Sequence, residues 1–317
     1  MPELSIPHLV IPFARCEGDA WLAAMKAQPA GSLENLGKLL QGMKLVNLDA
    51  GEAHSLSTPH ERVLAQAQGL DAAVDGLIPW AAMQANTGTA KAWAFITPCH
   101  WAMGREHATM TDFAALALTP EDSQTLLAAM QPYFETEGIT LHYAAPARWL
   151  AEGEVFRTLP TASLDRVLGR NVDPWLSTSK AMKLLQNEMQ MLLYTHTLND
   201  ERLAKRLLPV NSFWISGTGA LNQPALKTLQ AHKINVPRTL AQAAFKDDWA
   251  TYVKAWGEID AIGIAQLLMQ QNAGQVVQLS LCGERNAQTF ESTAQSFFNK
   301  IIHRFKTKNP LNLLSQL

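Results

Sequence analysis

The sequence predicts an α/β protein in which a mixed or parallel sheet is covered by helices. Three observations lead there. Strand-like and helix-like segments alternate along the chain, the order that builds a sheet flanked by helices. The first strand-like run, "HLVIPFA" at 8–14, shows no polar alternation, as expected of a strand buried on both faces. Of the 317 residues 47% are hydrophobic and 17% charged, enough apolar mass for one large domain or for a core with a smaller companion.

The elements follow in order. "SLENLGKLLQG" reads as a helix with Ser32 as its cap, Leu33, Leu36, Leu39 and Leu40 on one face, and Gly42 as its stop. "TPHERVLAQAQGL" repeats the plan, with Thr58 as cap, Pro59 in the first turn and Glu61 at the capping-box position. Residues 81–91 look like a helix breaking into a loop. "AWAFITPCHWAM" and "ATMTDFAALAL" both read as strands. Thr119, Pro120, Glu121 and Asp122 open a helix that Gly138 closes, and "ITLHYAAPARWL" reads as two short strands. The Pro- and Gly-marked stretch 158–176 is the expected linker. "SKAMKLLQNEMQMLLYTH" is an amphipathic helix, 211–216 a strand, and "WATYVKAWGEIDAIGIAQLLMQQ" helical. In "QVVQLSLCGERN", Val277, Leu279 and Leu281 alternate with polar residues as in a strand, and a last helix carries Phe297, Phe298, Ile301, Ile302 and Phe305.

Composition excludes several classes. A formal net charge of −2 gives no electrostatic case for nucleic acid or an anionic membrane surface. No stretch approaches the roughly 20 apolar residues of a membrane span, and the first residues lack the basic region of a secretory signal. Cys16, Cys99 and Cys282 lie far apart with no CxxC pair, which fits reduced thiols and a cytoplasmic location.

"NSFWISGTG" at 211–219 carries β-prone residues into Gly217, Thr218 and Gly219, the way a strand can deliver its backbone to an anion-cradling turn. Strands also simply stop this way. Ser57 to Arg62 pack a nucleophile, an imidazole, an acid and a cation into six residues; they read either as an anion or catalytic site, with His60 and Arg62 as contacts, or as an exposed first helical turn. Cys99, His100 and His107 are too widely set for a structural zinc. Cys282, Gly283, Glu284, Arg285 and Asn286 end a strand with polar groups, and in open α/β sheets the carboxyl ends of strands border the ligand crevice. The plainer reading is a turn in which Arg285 pairs with Glu284 or a helix carboxylate.

Several segments carry a resemblance. "EMQMLLYTHTLNDERLAKRLLPVNSFWISGTG" is similar in order and spacing to a segment of the archaeal-type cofactor-independent phosphoglycerate mutases, with His196, Asn199, Arg202, Asn211 and the glycines matching and Ser216 in place of an arginine. "TPCHW", "APARWL", "NEMQMLL", "PVNSFW" and "LCGERNAQTF" look like the bacterial regulatory proteins of pathogenicity-factor E type, themselves phosphoglycerate mutase-like. The resemblance implies an alkaline-phosphatase-like sheet, with 1–94 and 158–317 as an α/β core domain and 95–157 as a smaller inserted α+β subdomain. It also places Arg148 where the mutases put a substrate-facing arginine.

The departures matter as much. The resemblance implies two metals for phosphoryl transfer, held in such mutases by an acid at the end of the first strand, a nucleophilic serine and late Asp and His ligands. Here the first strand runs on as "VIPFARCEGD", "SLSTPHER" stands near the nucleophile segment, and the late ligand runs are missing. The expectation is a protein with a degenerate active site, no metal and no cofactor, acting as a regulatory or ligand-binding protein on a small anion or a protein partner. The alternative is a cofactor-independent phosphoglycerate mutase or related phosphohydrolase. Binding candidates are Asn211, Gly217, Thr218, Gly219, Arg285, Asn286, Arg148, His60 and Arg62. Two geometric expectations follow: strands 8–14, 211–216 and 276–282 share one sheet, and the 217–219 and 282–286 turns converge on one crevice.

Overall fold

A computed structural model describes residues 6–29, 31–87, 90–221, 234–292 and 310–317. The chain divides into two compact units: 1–53, 59–68 and 229–317 form the first, and 54–58 with 69–228 the second. The mixed α/β class holds, but the boundaries differ from the 1–94, 95–157 and 158–317 division.

The first unit is built on a five-stranded sheet. Its strands are β1 (His8–Ile11), β2 (Met43–Asp49), β9 (Ile234–Asn235), β10 (Gln278–Cys282) and β11 (Ala287–Ser292), in the order β2-β11-β10-β1-β9. β1 runs parallel to both β9 and β10, with Ile11 opposite Leu281, while β11 is antiparallel to β10 and β2. The apolar run of β1 has a direct cause. Leu9 and Ile11 enter one core with Leu279, Leu281 and Phe290, and Val10 enters another with Val63, Cys282 and Ala287. A strand covered on both faces has no use for polar alternation.

Helices α1 (Asp19–Lys26), α2 (Glu34–Gln41), α9 (Thr239–Ala244), α10 (Trp249–Ile259), α11 (Ala265–Asn272) and α12 (Pro310–Leu314) supply the first of those cores, and α3 (Pro59–Ala67) supplies Val63 on the other face. The last predicted helix, 297–305, lies outside the described residues.

Ser32 does not cap α2; its hydroxyl turns back to the Pro29 carbonyl at 2.6 Å. Asp260, far along the chain in a π-helical turn, does the work instead, accepting from Leu36 N at 2.8 Å and Asn35 N at 3.2 Å. Burial raises the Asp260 carboxyl above its ordinary 3.8, and the two backbone donors only partly offset this. A raised folded value means that the folded state binds the proton more tightly, so this group makes stability fall as pH rises through the window above 3.8. Asp260→Ala should cost about 1–2 kcal/mol, the worth of a lost cap. Asp260→Asn should remove that acid-side slope from a urea-denaturation series against pH, and an unchanged slope would refute the assignment.

The second unit holds a four-stranded antiparallel sheet of β3 (Ala92–Cys99), β6 (Thr140–Ala145), β7 (Arg148–Glu152) and β8 (Ser212–Ala220), in the order β6-β7-β3-β8, and a small ribbon of β4 (Trp101–Met103) and β5 (Ala108–Met110). Helices α6 (Pro120–Thr136) and α7 (Lys180–Tyr194) pack on one face of the larger sheet through Leu126, Met130, Phe134, Met182, Leu185 and Met189. Thr119 caps α6 as read, and Ser179 caps α7, each hydroxyl accepting from a backbone N–H three residues on.

Three expectations are corrected. β8 lies in a different sheet from β1 and β10, so 8–14, 211–216 and 276–282 do not share one. Part of "ATMTDFAALAL" is helical: Asp112 caps α5 (Phe113–Leu116) by accepting from Ala114 N. The stretch 158–176 is no exposed linker, since Leu159, Ala162, Val167 and Val172 are buried within the second unit.

Candidate functional site

The nine candidates fall in both units. Those of the second unit have structural employment. Gly217, Thr218 and Gly219 do not form a turn at a strand end; they lie inside β8, opposite β3, where the register shifts between Trp93 and Phe95. Gly217 (φ +62°) and Gly219 (φ +138°) supply the backbone of this bulge. A side chain at Gly217 would meet the Phe95 ring at 2.8 Å. Thr218 is fully buried, and its hydroxyl lies 2.7 Å from the Leu159 carbonyl and 3.0 Å from the Thr161 hydroxyl. These glycines bring the backbone close to the Phe95 ring and to Pro79. Gly217→Ala should therefore cost about 1–2 kcal/mol, the left-handed penalty for a residue with a Cβ, read as a drop in the urea midpoint. A neutral outcome would show that the bulge has another solution.

Asn211 extends this sheet by side-chain mimicry. Its carbonyl oxygen accepts from Trp101 N at 2.7 Å and its amide donates to the Trp101 carbonyl at 3.0 Å. Both ends of the amide are used. Arg148 lies on the surface with its guanidinium 5.0 Å from the Phe95 ring and 3.3 Å from the Gln84 side-chain oxygen.

The candidates of the first unit do come together. α3 carries His60 and Arg62 past the carboxyl ends of β1 and β10. Arg62 grips Asp49 with its Nε at 3.0 Å from both carboxylate oxygens, and its Nη2 donates to the Arg285 carbonyl at 3.0 Å. Asn286 accepts from Gly51 N at 3.3 Å. A side chain at Gly51 would strike Arg62 Nη2 at 2.5 Å and the Arg285 carbonyl at 2.6 Å, so the close approach needs glycine there. Arg285 pairs with Glu17, its Nη2 donating at 3.0 Å, and not with Glu284 or a helix carboxylate as the plainer sequence reading expected. His60 is buried, its ring 6.0 Å from that of Phe13 and its Nε2 3.4 Å from Arg238 Nη1. The expectation that the 217–219 and 282–286 segments end neighbouring strands of one sheet fails with the sheet assignment, and with it the argument for a shared crevice.

The nucleophile candidates are spent on structure. Ser57 Oγ accepts from Gly76 N at 2.9 Å, and the Ser57 carbonyl accepts from Arg166 at 3.0 Å. Cys99 and Cys282 are fully buried, and burial drives both thiols far up from their ordinary range, so neither supplies a thiolate. His100 is held at 2.8 Å from the Pro209 carbonyl. Among the described residues no group of three or more His, Cys, Asp or Glu is placed to hold a metal ion.

Arg15 escaped the sequence reading. It lies four residues beyond the end of β1, half-buried, with its guanidinium 6.0 Å from the Trp21 ring. Its Nε is buried and meets no hydrogen-bond partner. "VIPFARCEGD" drew notice for the acid it lacks, and the cation it contains was the available signal.

No protein-family description matches the chain, and no curated protein matches it. Among solved structures, it is similar to the cofactor-independent phosphoglycerate mutase of Thermoplasma acidophilum DSM 1728, at 13% identity and a TM-score of 0.37, over 98% of this chain and 99% of that one. It is also similar to a Pyrococcus horikoshii protein, at 10% identity and a TM-score of 0.45, over 91% of this chain and 87% of that one. At these values neither likeness carries an argument about site or activity. No described helix is long and apolar enough to cross a membrane.

Proposed function

We propose that this protein is a non-catalytic, phosphoglycerate mutase-like protein of the regulatory, pathogenicity-factor E type, which acts by binding a small anion or a protein partner in the cytoplasm. One observation carries the reading. At the carboxyl ends of β1 and β10 the chain places Arg15, Arg62 and Arg285, where two-metal phosphoryl transfer would require clustered carboxylates. The acids present there are committed: Asp49 to Arg62, Glu17 to Arg285, and the Glu284 carboxylate to Glu17 N at 3.1 Å. Guanidinium groups repel divalent cations and attract oxyanions. The buried cysteine thiols fit a reducing compartment.

The rival is a cofactor-independent phosphoglycerate mutase or related phosphohydrolase. One experiment separates the two: metal analysis of the purified protein together with a 3-phosphoglycerate turnover assay in added Mn²⁺ or Mg²⁺. The expected result is no stoichiometric metal and no turnover. Stoichiometric Mn²⁺, Mg²⁺ or Zn²⁺ with turnover would overturn the reading in favour of the enzyme.

A further inference from the structure

We infer that the carboxyl end of β1 is an oxyanion-binding site in which Arg15 is the principal contact and the ligand presents a phosphate or carboxylate group. This deepens the ligand-binding reading above and rests on it.

The argument starts with the charges. Of the arginines that follow β1 and β10 or reach them from α3, Arg62 is neutralised by Asp49 and Arg285 by Glu17. Among the described residues no carboxylate pairs with Arg15: its contact is the Trp21 ring at 6.0 Å, and its Nε is buried and unsatisfied. A half-buried guanidinium without an acceptor is a costly thing to keep. A guanidinium beside an aromatic ring retains its N–H edges for acceptors in its own plane, the geometry that binds a carboxylate or phosphate with two hydrogen bonds.

The backbone before Arg15 is unusual in the same place. Phe13 adopts φ +53°, a left-handed conformation that a bulky residue rarely takes. It is held there from two sides: Tyr252 donates its hydroxyl to the Phe13 carbonyl at 2.6 Å, and Ala14 N donates to the Cys282 carbonyl at 2.7 Å. Such strain persists where the surrounding structure enforces it and gathers at ligand sites.

A second cation comes from the neighbouring strand. β9 runs parallel to β1, so both end on the same edge of the sheet, and Arg238 follows β9 by three residues. His60 joins the two segments, packing its ring on Phe13 while its Nε2 faces Arg238 Nη1 at 3.4 Å. His60 thereby ties the segment after β9 to the segment after β1. Two guanidinium groups thus flank the ends of adjacent parallel strands, the edge at which open α/β sheets bind ligands.

The test is a titration of the full-length protein with inorganic phosphate and, separately, with acetate, at constant ionic strength with chloride as the control, followed by tryptophan fluorescence and thermal melting. The expected result is a saturable response to one or both. Its Kd should rise about tenfold or more in Arg15→Ala and Arg15→Gln, the scale of one lost charge-assisted hydrogen bond, be partly kept in Arg15→Lys, and be unchanged in Lys91→Ala, a surface cation of the second unit. A response to phosphate alone assigns a phosphate-bearing ligand, and a response to acetate alone a carboxylate. Absence of a saturable response to either, or the same Kd in the Arg15 variants, overturns the site. Turnover of 3-phosphoglycerate would instead defeat the non-catalytic reading and leave this titration standing on its own.

Discussion

Replacing Arg202 with methionine should destabilise the second unit by about 3–5 kcal/mol, the range for removing one partner of a buried ion pair. Arg202 in α8 (Thr197–Ala204) is 1% exposed yet fully employed. Its Nη1 meets Asp122 at 2.7 Å, its Nε donates to the Leu208 carbonyl at 3.0 Å, and its Nη2 donates to the Leu116 carbonyl. The substitution keeps the apolar stem but strands a carboxylate and two buried carbonyls. The effect should appear as a lower urea midpoint, with Arg148→Ala, a surface change, shifting stability by about 0.5 kcal/mol or less. Equal effects in the two variants would sink the account. The spacing of Asn199 and Arg202 that suggested a mutase segment thus has a structural reason here. Asn199 closes the same loop, donating its amide to the Leu193 and Val210 carbonyls and accepting from Val210 N.

Tyr252→Phe should cost the first unit about 2–4 kcal/mol, since buried donors left without acceptors cost ~1–3 kcal/mol each. The Tyr252 hydroxyl is fully buried. It accepts from Trp21 Nε1 at 3.1 Å and Trp256 Nε1 at 3.3 Å and donates to the Phe13 carbonyl at 2.6 Å. Burial raises its pKa well above the ordinary value, so it stays protonated and remains that donor. The loss also removes one of the two ties holding Phe13 left-handed, so Tyr252→Phe should weaken anion binding at Arg15 as well. Denaturant unfolding gives the first quantity and the phosphate or acetate titration the second. A stability change below ~1 kcal/mol would mean that water or a shifted indole replaces the hydroxyl.

Much of the fold could be read from local chemistry. β1 declared itself because a strand covered on both faces is apolar at every position. α6 declared itself because Thr119 is a cap in contact with its own helix, a relation contained within four residues, and α7 because its apolar residues recur at helical spacing. α2 shows where such reading stops. Ser32 stands at a reasonable cap position, but the acceptor that the helix uses is Asp260, which no local pattern can announce.

The candidate site divides along the same line. Residue types were partly legible: the glycines, Arg62, Arg148, Arg285 and His60 were singled out, because few residue types can hold a positive φ or an anion, while Arg15 and Arg238 were passed over. Their partners were not legible. "ISGTG" looks the same in sequence whether its glycines cradle a phosphate or let β8 bulge against Phe95, and only the pairing with β3 decides. Arg285 and Arg15 both follow a buried strand, yet among the described residues one meets Glu17 and the other the Trp21 ring. Periodicity and capping are properties of neighbouring residues, so the sequence by itself determined the elements and their buried faces. Sheet membership, the distribution of β1, β8 and β10 over two units, and which cation lacks a counter-charge depend on contacts across up to hundreds of residues. Those the tertiary structure decided, because a strand's hydrogen bonds and an ion's desolvation are settled by whatever the rest of the chain brings beside them.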